Sequence, residues 1–498
     1  MPGNRYVSRE KLLSLREEIK NHGIAQDEKV KEAVLELEAH MDTVEELDIN
    51  DKFLIFAALA KYFRTMNHYD KCGSYSRKGI NLAKRIDEAH TGVLIDTYLD
   101  YAGLERDYGQ LADARILLAK LLQLLETKKW ADPSAFALTY SNLGKVYLDE
   151  ENTQLGIFQL EKALDYFRKS SAATDPIIIE TIQAITDASI QMESYDRALS
   201  LNQELLKIQQ RENDRLSEAK TLMKIGEIYY YIDLRKAKVT ITEALHLFKT
   251  EYEEKHLDIA KAYLMLAELE ENVGEFTEAI SCYQKSLFQL VDIYKADHFL
   301  IVYNYSKLGS LSLQINEQGM AKDYLEKGLS LANDFPKIRL QFLMGLGKVY
   351  SNLEMHEAAI SMYQEFLQFL EKDKRKKTKG YADTLQAIAF NFMKVNNLED
   401  AVDYYLEALD GYGKLTRNCD SEKGLIHIRL AHCFENKQDI DEAMFHMEKG
   451  ISLLEKNRDQ HLLNEFLQEA IDFFNRYGSE EKRSEYEAKY AQLQAVNG

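Results

Sequence analysis

The densest group of potential metal ligands in the sequence is His427, His432, Cys433 and His446. A zinc centre needs three or four such side chains to converge on one point. His427 and His432 are five residues apart, whereas helical residues that share a face are three or four apart. The spacing therefore argues against a metal site. Cys72, Cys282, Cys419 and Cys433 form no Cys-x-x-Cys pair, which fits a reducing compartment and no disulfide framework. Gly347-Lys348 lacks the preceding glycine of a phosphate loop, and no His-Glu-x-x-His, Gly-x-Ser-x-Gly or kinase motif occurs. The basic run from Lys372 to Lys379 has no aromatic residues between its lysines, so single-strand nucleic-acid binding is not expected of it. It reads as a solvated loop. A formal net charge of −19 opposes nucleic-acid binding more generally. No catalytic residue, cofactor site or metal site is nominated. The expected partner is a protein or peptide, and the expected location is cytoplasmic, since no apolar run approaches the length of a membrane span.

The elements that must carry any binding surface are set by a repeated frame. Its clearest copy is Leu346-Gly347-Lys348-Val349-Tyr350, with Ala359 twelve residues after Gly347 and Tyr363 four beyond that. The first small position reads Ala60, Ala102, Gly144, Thr186, Gly226, Ala267, Gly309, Gly347, Ala389 and Ala431. The second reads Cys72, Ala114, Gly156, Ala198, Ala237, Ala279, Ala321, Ala359, Ala401 and Ala443. Successive second positions are 42 residues apart except for steps of 39 and 38 that end at Ala237 and Ala359. Two small residues at this offset let two antiparallel helices cross closely. A fixed period of this length marks stacked helical hairpins, each needing its neighbours to bury its apolar face.

The Leu-Gly-x-x-Tyr element, the small residue twelve on, the bulky residue four later and a further small residue at Ala163, Ala244, Ser286, Gly328, Ala408 or Gly450 resemble the tetratricopeptide repeat. Leu121, Leu205 and Phe366 depart from that last position. The 42-residue period resembles the long-repeat branches, namely kinesin light chain, Pins-type scaffolds and bacterial Rap regulators. The resemblance implies an all-α, right-handed superhelical solenoid of about ten hairpins. Residues 1–50 are expected to form an N-terminal capping hairpin broken at Gly23, and 51–455 the repeats. Residues 456–498 are expected to form C-terminal capping helices broken at Gly478-Ser479. Asp132-Pro133 and Asp175-Pro176 are expected helix starts.

By the same resemblance, the residue after the first small position faces the concave groove. That row contains Lys145, Asp187, Glu227, Glu268 and Lys348, with Glu271 one turn beyond Glu268. An acidic centre flanked by lysines is expected to favour a ligand with basic segments. Asn142 and Asn352 are expected on first helices, where amides can clamp an extended backbone. In the fifth repeat, Tyr229, Tyr230 and Tyr231 cannot all share one helix face, so at least one is expected at the surface. The resemblance implies a non-enzymatic scaffold or adaptor. It leaves open a peptide-responsive regulator like the Rap branch, or the targeting subunit of a larger enzyme assembly.

Overall fold

The computed structural model describes residues 8–22, 28–127, 133–170, 176–372, 375–457, 460–477 and 480–497. Gly23, Asp132, Asp175, Gly478 and Ser479 lie outside the described residues. All regular structure among them is helical. The chain forms two compact units, Met1–Leu247 and Phe248–Gly498.

The first unit opens with α1 (Arg9–His22), α2 (Glu28–Ala39) and α3 (Met41–Glu46). Three helices thus stand where two were expected. His40 leaves helical geometry at φ −112° and ψ 29°, and its ring packs back on the Glu36 carbonyl, which divides the segment. The hairpins α4 (Ile49–Thr65) with α5 (Tyr69–Asn81), α6 (Thr91–Asp107) with α7 (Leu111–Thr127), and α8 (Pro133–Asp149) with α9 (Thr153–Ser170) follow. Next come α10 (Pro176–Gln191) with α11 (Tyr195–Glu212), then α12 (Arg215–Ile232) with α13 (Leu234–Glu251), and the boundary between the units falls within α13.

The second unit continues with α14 (Leu257–Val273) and α15 (Phe276–Leu290), α16 (Phe299–Gln314) and α17 (Gln318–Leu331), and α18 (Pro336–Asn352) and α19 (His356–Lys372). It ends with α20 (Lys379–Lys394) and α21 (Leu398–Gly413), α22 (Asp420–Asn436) and α23 (Ile440–Asn457), then α24 (Gln460–Arg476) and α25 (Glu480–Asn497). Pro133, Pro176 and Pro336 each open a helix, where the missing N–H costs nothing. No helix among the described residues is long and apolar enough to cross a membrane.

Inside a hairpin the small positions work by close approach. A Cβ on Gly144 would stand 2.6 Å from Leu160, one on Gly309 2.4 Å from Leu325, and one on Gly347 2.5 Å from Tyr363. Each contact joins a first small residue to the bulky residue sixteen later. In the fifth hairpin, where the two small positions are eleven apart, Gly226 meets Ile241, fifteen later, at 2.4 Å. The fourth hairpin solves the same crossing differently. Thr186 fills the small position and Asn202 the bulky one, and the buried Asn202 amide donates to Thr186 Oγ1 at 2.7 Å. A buried hydroxyl and amide are tolerated here because each satisfies the other.

The turn between the paired helices has its own period. Asn67, Gly109, Glu151, Glu193, Gly274, Asn316, Glu354, Asn396 and Gln438 all have positive φ, and each lies five residues before the second small position. The next residue's N–H reaches the carbonyl five back, as in His68 to Phe63, Asn152 to Tyr147 and Met355 to Tyr350. This is the left-handed helix stop that satisfies the last carbonyls. The fifth hairpin, one residue shorter, has no such residue. It turns through extended Asp233, whose N–H bonds the Tyr229 carbonyl.

Candidate functional site

In the first unit, the nominated residues on α8, α10 and α12 already have partners. The Asn142 amide donates to the Leu138 carbonyl of its own helix at 2.9 Å. Lys145 pairs with Glu180 of the next first helix at 2.6 Å. Asp187 and Glu227 come together through Lys224, at 2.8 and 2.7 Å. Burial opposes the Lys224 charge, yet hydrogen bonds to both carboxylates outweigh it and hold the ammonium above its ordinary range. Tyr231, 53% exposed, is the surface member of its triplet and stacks on Tyr195 at 5.4 Å.

In the second unit, Glu268 accepts from the Tyr303 hydroxyl at 3.0 Å. Glu271 accepts from Tyr283 and from Lys307, each at 3.0 Å. Burial first, then the adjacent carboxylates, push both phenols far up, so they remain hydrogen-bond donors. The four nominated carboxylates are therefore compensated by Lys224, Lys307, Tyr283 and Tyr303. A basic ligand segment has to compete with those partners.

Lys348 differs. It is exposed and forms no ion pair among the described residues. It lines a cavity of about 630 Å³ together with Glu271, Lys307 and Arg375. The apolar wall includes Leu325, Met344 and Phe366. Lys307 is paired with Glu271 within this lining, whereas Lys348 has no ion pair among the described residues. Asn352 is not part of it and lies at the end of α18, its amide 3.3 Å from Gln318 Oε1. The basic run contributes Arg375 to the cavity, while Lys376 pairs with Glu371 at 2.8 Å and Lys379 with Glu422 at 3.0 Å. Lys374 of that run lies outside the described residues.

Lys224 and Lys307 were not nominated from the sequence. Both stand two residues before the first small position of their repeats, the position Asn142 occupies in the third. Reading that second row would have found them. The histidines of the tenth repeat go to different partners. His427 Nδ1 meets His446 Nδ1 at 2.8 Å, whereas His432 reaches Glu469 on α24.

The family model described as Tetratricopeptide repeat matches residues 260–287, 340–369 and 426–457. The chain carries tetratricopeptide repeats. The matched tetratricopeptide segments are the sixth, eighth and tenth hairpins, and the first two contain Glu268, Glu271 and Lys348. The chain is similar to Response regulator aspartate phosphatase E of Bacillus subtilis (strain 168), with 26% identity over 287 residues, 54% of this chain and 74% of that protein. Among solved structures it is similar to the apo form of RapI, 16% identical, covering 81% of this chain and 97% of that one at a TM-score of 0.48. It is also similar to the apo form of the quorum sensor NprR from B. thuringiensis, 14% identical, covering 81% of this chain and 99% of that one at a TM-score of 0.38.

Proposed function

We propose that the chain is a non-enzymatic interaction scaffold or regulator that takes a peptide or protein segment on the shared face of its first helices. The observation that carries this reading is the cavity with Lys348, which has no ion pair among the described residues, at its wall. Its apolar side chains beside Lys348 suit a segment that presents an apolar side chain next to a carboxylate. Each exposed charge pair contributes only about 0.5–1 kcal/mol, so the apolar contacts supply most of the affinity. Asp187 and Glu227 in the first unit are the counterpart surface for a basic segment, which would displace Lys224. On this reading the protein acts in the cytoplasm, and any covalent chemistry belongs to its partner.

A displayed random-peptide library tests the reading. Selected peptides are expected to be acidic and apolar, and Lys348→Glu is expected to weaken them roughly tenfold, about 1.4 kcal/mol. Basic peptides that are lost instead on Glu227→Lys would move the binding surface to the first unit. Peptides indifferent to both variants would end the first-helix reading.

A second reading follows from the similarity to a response regulator aspartate phosphatase. Here the chain engages a response regulator and changes the lifetime of its aspartyl phosphate. Adding the chain to phosphorylated response regulators of its source and following phosphate release decides this. Unchanged lifetimes across the set would remove it.

A further inference from the structure

A second cavity, of about 490 Å³, lies in the first unit where α1 and α2 meet α4 and α6. Its charged lining is of both signs. Arg16 and Lys20 come from α1, Lys61 from α4, and Asp96 and Asp100 from α6. The floor is apolar, with buried Ile19, Val30, Ala57 and Ala60.

Three of these charges are exposed and two are half-buried. Lys20, Lys61 and Asp96 are exposed and have no ion pair among the described residues. Asp100 has Arg64 at 3.7 Å, too long for a strong hydrogen bond, and burial pushes its carboxyl up. The Arg16 side chain is 13% exposed, its ion-pair partner is the adjacent Glu17, and burial pushes its guanidinium down. Cations and carboxylates beside an apolar floor suit a ligand that carries both charges and an apolar group.

We propose that this cavity binds a small zwitterion with an apolar side chain, either a free α-amino acid or a dipeptide. The ligand ammonium sits at Asp96 and Asp100, its carboxylate at Arg16 and Lys20, and its side chain on the apolar floor. Because Arg16 and Lys20 belong to α1 whereas both aspartates belong to α6, the ligand ties the N-terminal helix to the second repeat. Occupancy therefore stabilises the docked position of α1. This site is independent of the cavity at Lys348 and does not rest on the reading given to that one.

The test uses the full chain with leucine, methionine, phenylalanine and Leu-Leu as probes. Thermal unfolding, calorimetry and hydrogen exchange of α1 are the readouts. At least one probe is expected to bind one-to-one, raise Tm and slow exchange in residues 9–22. Free leucine stronger than Leu-Leu assigns the amino acid, and the reverse order assigns the dipeptide. Leucinamide, which lacks the carboxylate, and 4-methylpentanoate, which lacks the amine, are each expected to bind at least tenfold more weakly. Asp100→Asn and Arg16→Gln are expected to lose binding by at least tenfold. If either fails to fold, Asp96→Asn and Lys20→Gln at the exposed rim serve in their place, each expected to weaken binding several-fold. No binding by any probe, equal binding of the one-charge analogues, or binding untouched by these variants overturns the proposal.

Discussion

At the scale of single residues, the hairpins rest on missing side chains. Gly226 is the severest case in the first unit, because the Cγ1 of Ile241, attached to the branched Cβ and close to its own backbone, occupies the space a methyl would need. Gly226→Ala is expected to destabilise the first unit by about 1–3 kcal/mol, despite the helix-propensity gain of about 1 kcal/mol. Gly319→Ala, where nothing lies within 4 Å, is the control and is expected to be neutral or stabilising by a few tenths of a kcal/mol. Denaturant unfolding of both variants checks the contrast, and equal effects would sink the close-approach account. This much was legible in the sequence, since Gly144, Gly226, Gly309 and Gly347 all fall on the first small row. The Thr186–Asn202 pair was not. Thr186 stands in the first small row like the glycines, and only the folded crossing shows that Asn202 completes it.

At the scale of elements, the left-handed turn is shared by nine hairpins but suits their residues unequally. Asparagine and glycine tolerate positive φ, whereas Glu354, at φ 60°, is held there by the turn. Glu354→Gly is expected to raise stability by about 0.5–1 kcal/mol, measured by thermal or denaturant unfolding. A loss of stability would show that the glutamate side chain contributes more than its backbone costs. The turn row was visible as Asn, Gly, Glu or Gln at a fixed offset, yet the three glutamates hid it, because glutamate is a helix former. The partners of the nominated carboxylates were hidden for another reason. They lie 35 to 37 residues away on the next first helix, across the same hairpin as Tyr283 does from Glu271, or one turn back as Lys224 does from Glu227, and a groove row read alone does not include them.

At the scale of the molecule, the end of the second unit carries a pH dependence. Burial first, then the charge of His446, lowers His427 to about 4, and burial lowers His446 as well. Glu442, 3.8 Å from His446 Nε2, and Lys449 also face the pair. A histidine harder to protonate when folded than when unfolded leaves stability intact above about pH 6.5 and drains it as pH falls toward 4. The loss is up to about 3 kcal/mol for His427. Unfolding at about pH 7 and about pH 5, compared with His427→Gln, measures it. Equal slopes in the two proteins would show that the pair does not titrate with folding. The polar contacts between successive first helices have a consequence for ancestry. Glycine packing is alike from copy to copy, but Glu268 is matched to Tyr303 and Glu271 to Lys307. If the seventh and eighth copies were transposed, Gly309 and Gly347 of the first small row would keep Leu325 and Tyr363. Glu268 would then confront Gln341, and Glu271 would confront Gly345 and lose its cation. The copies are thus keyed to their order, and a lineage that grew by duplication can no longer be permuted without cost.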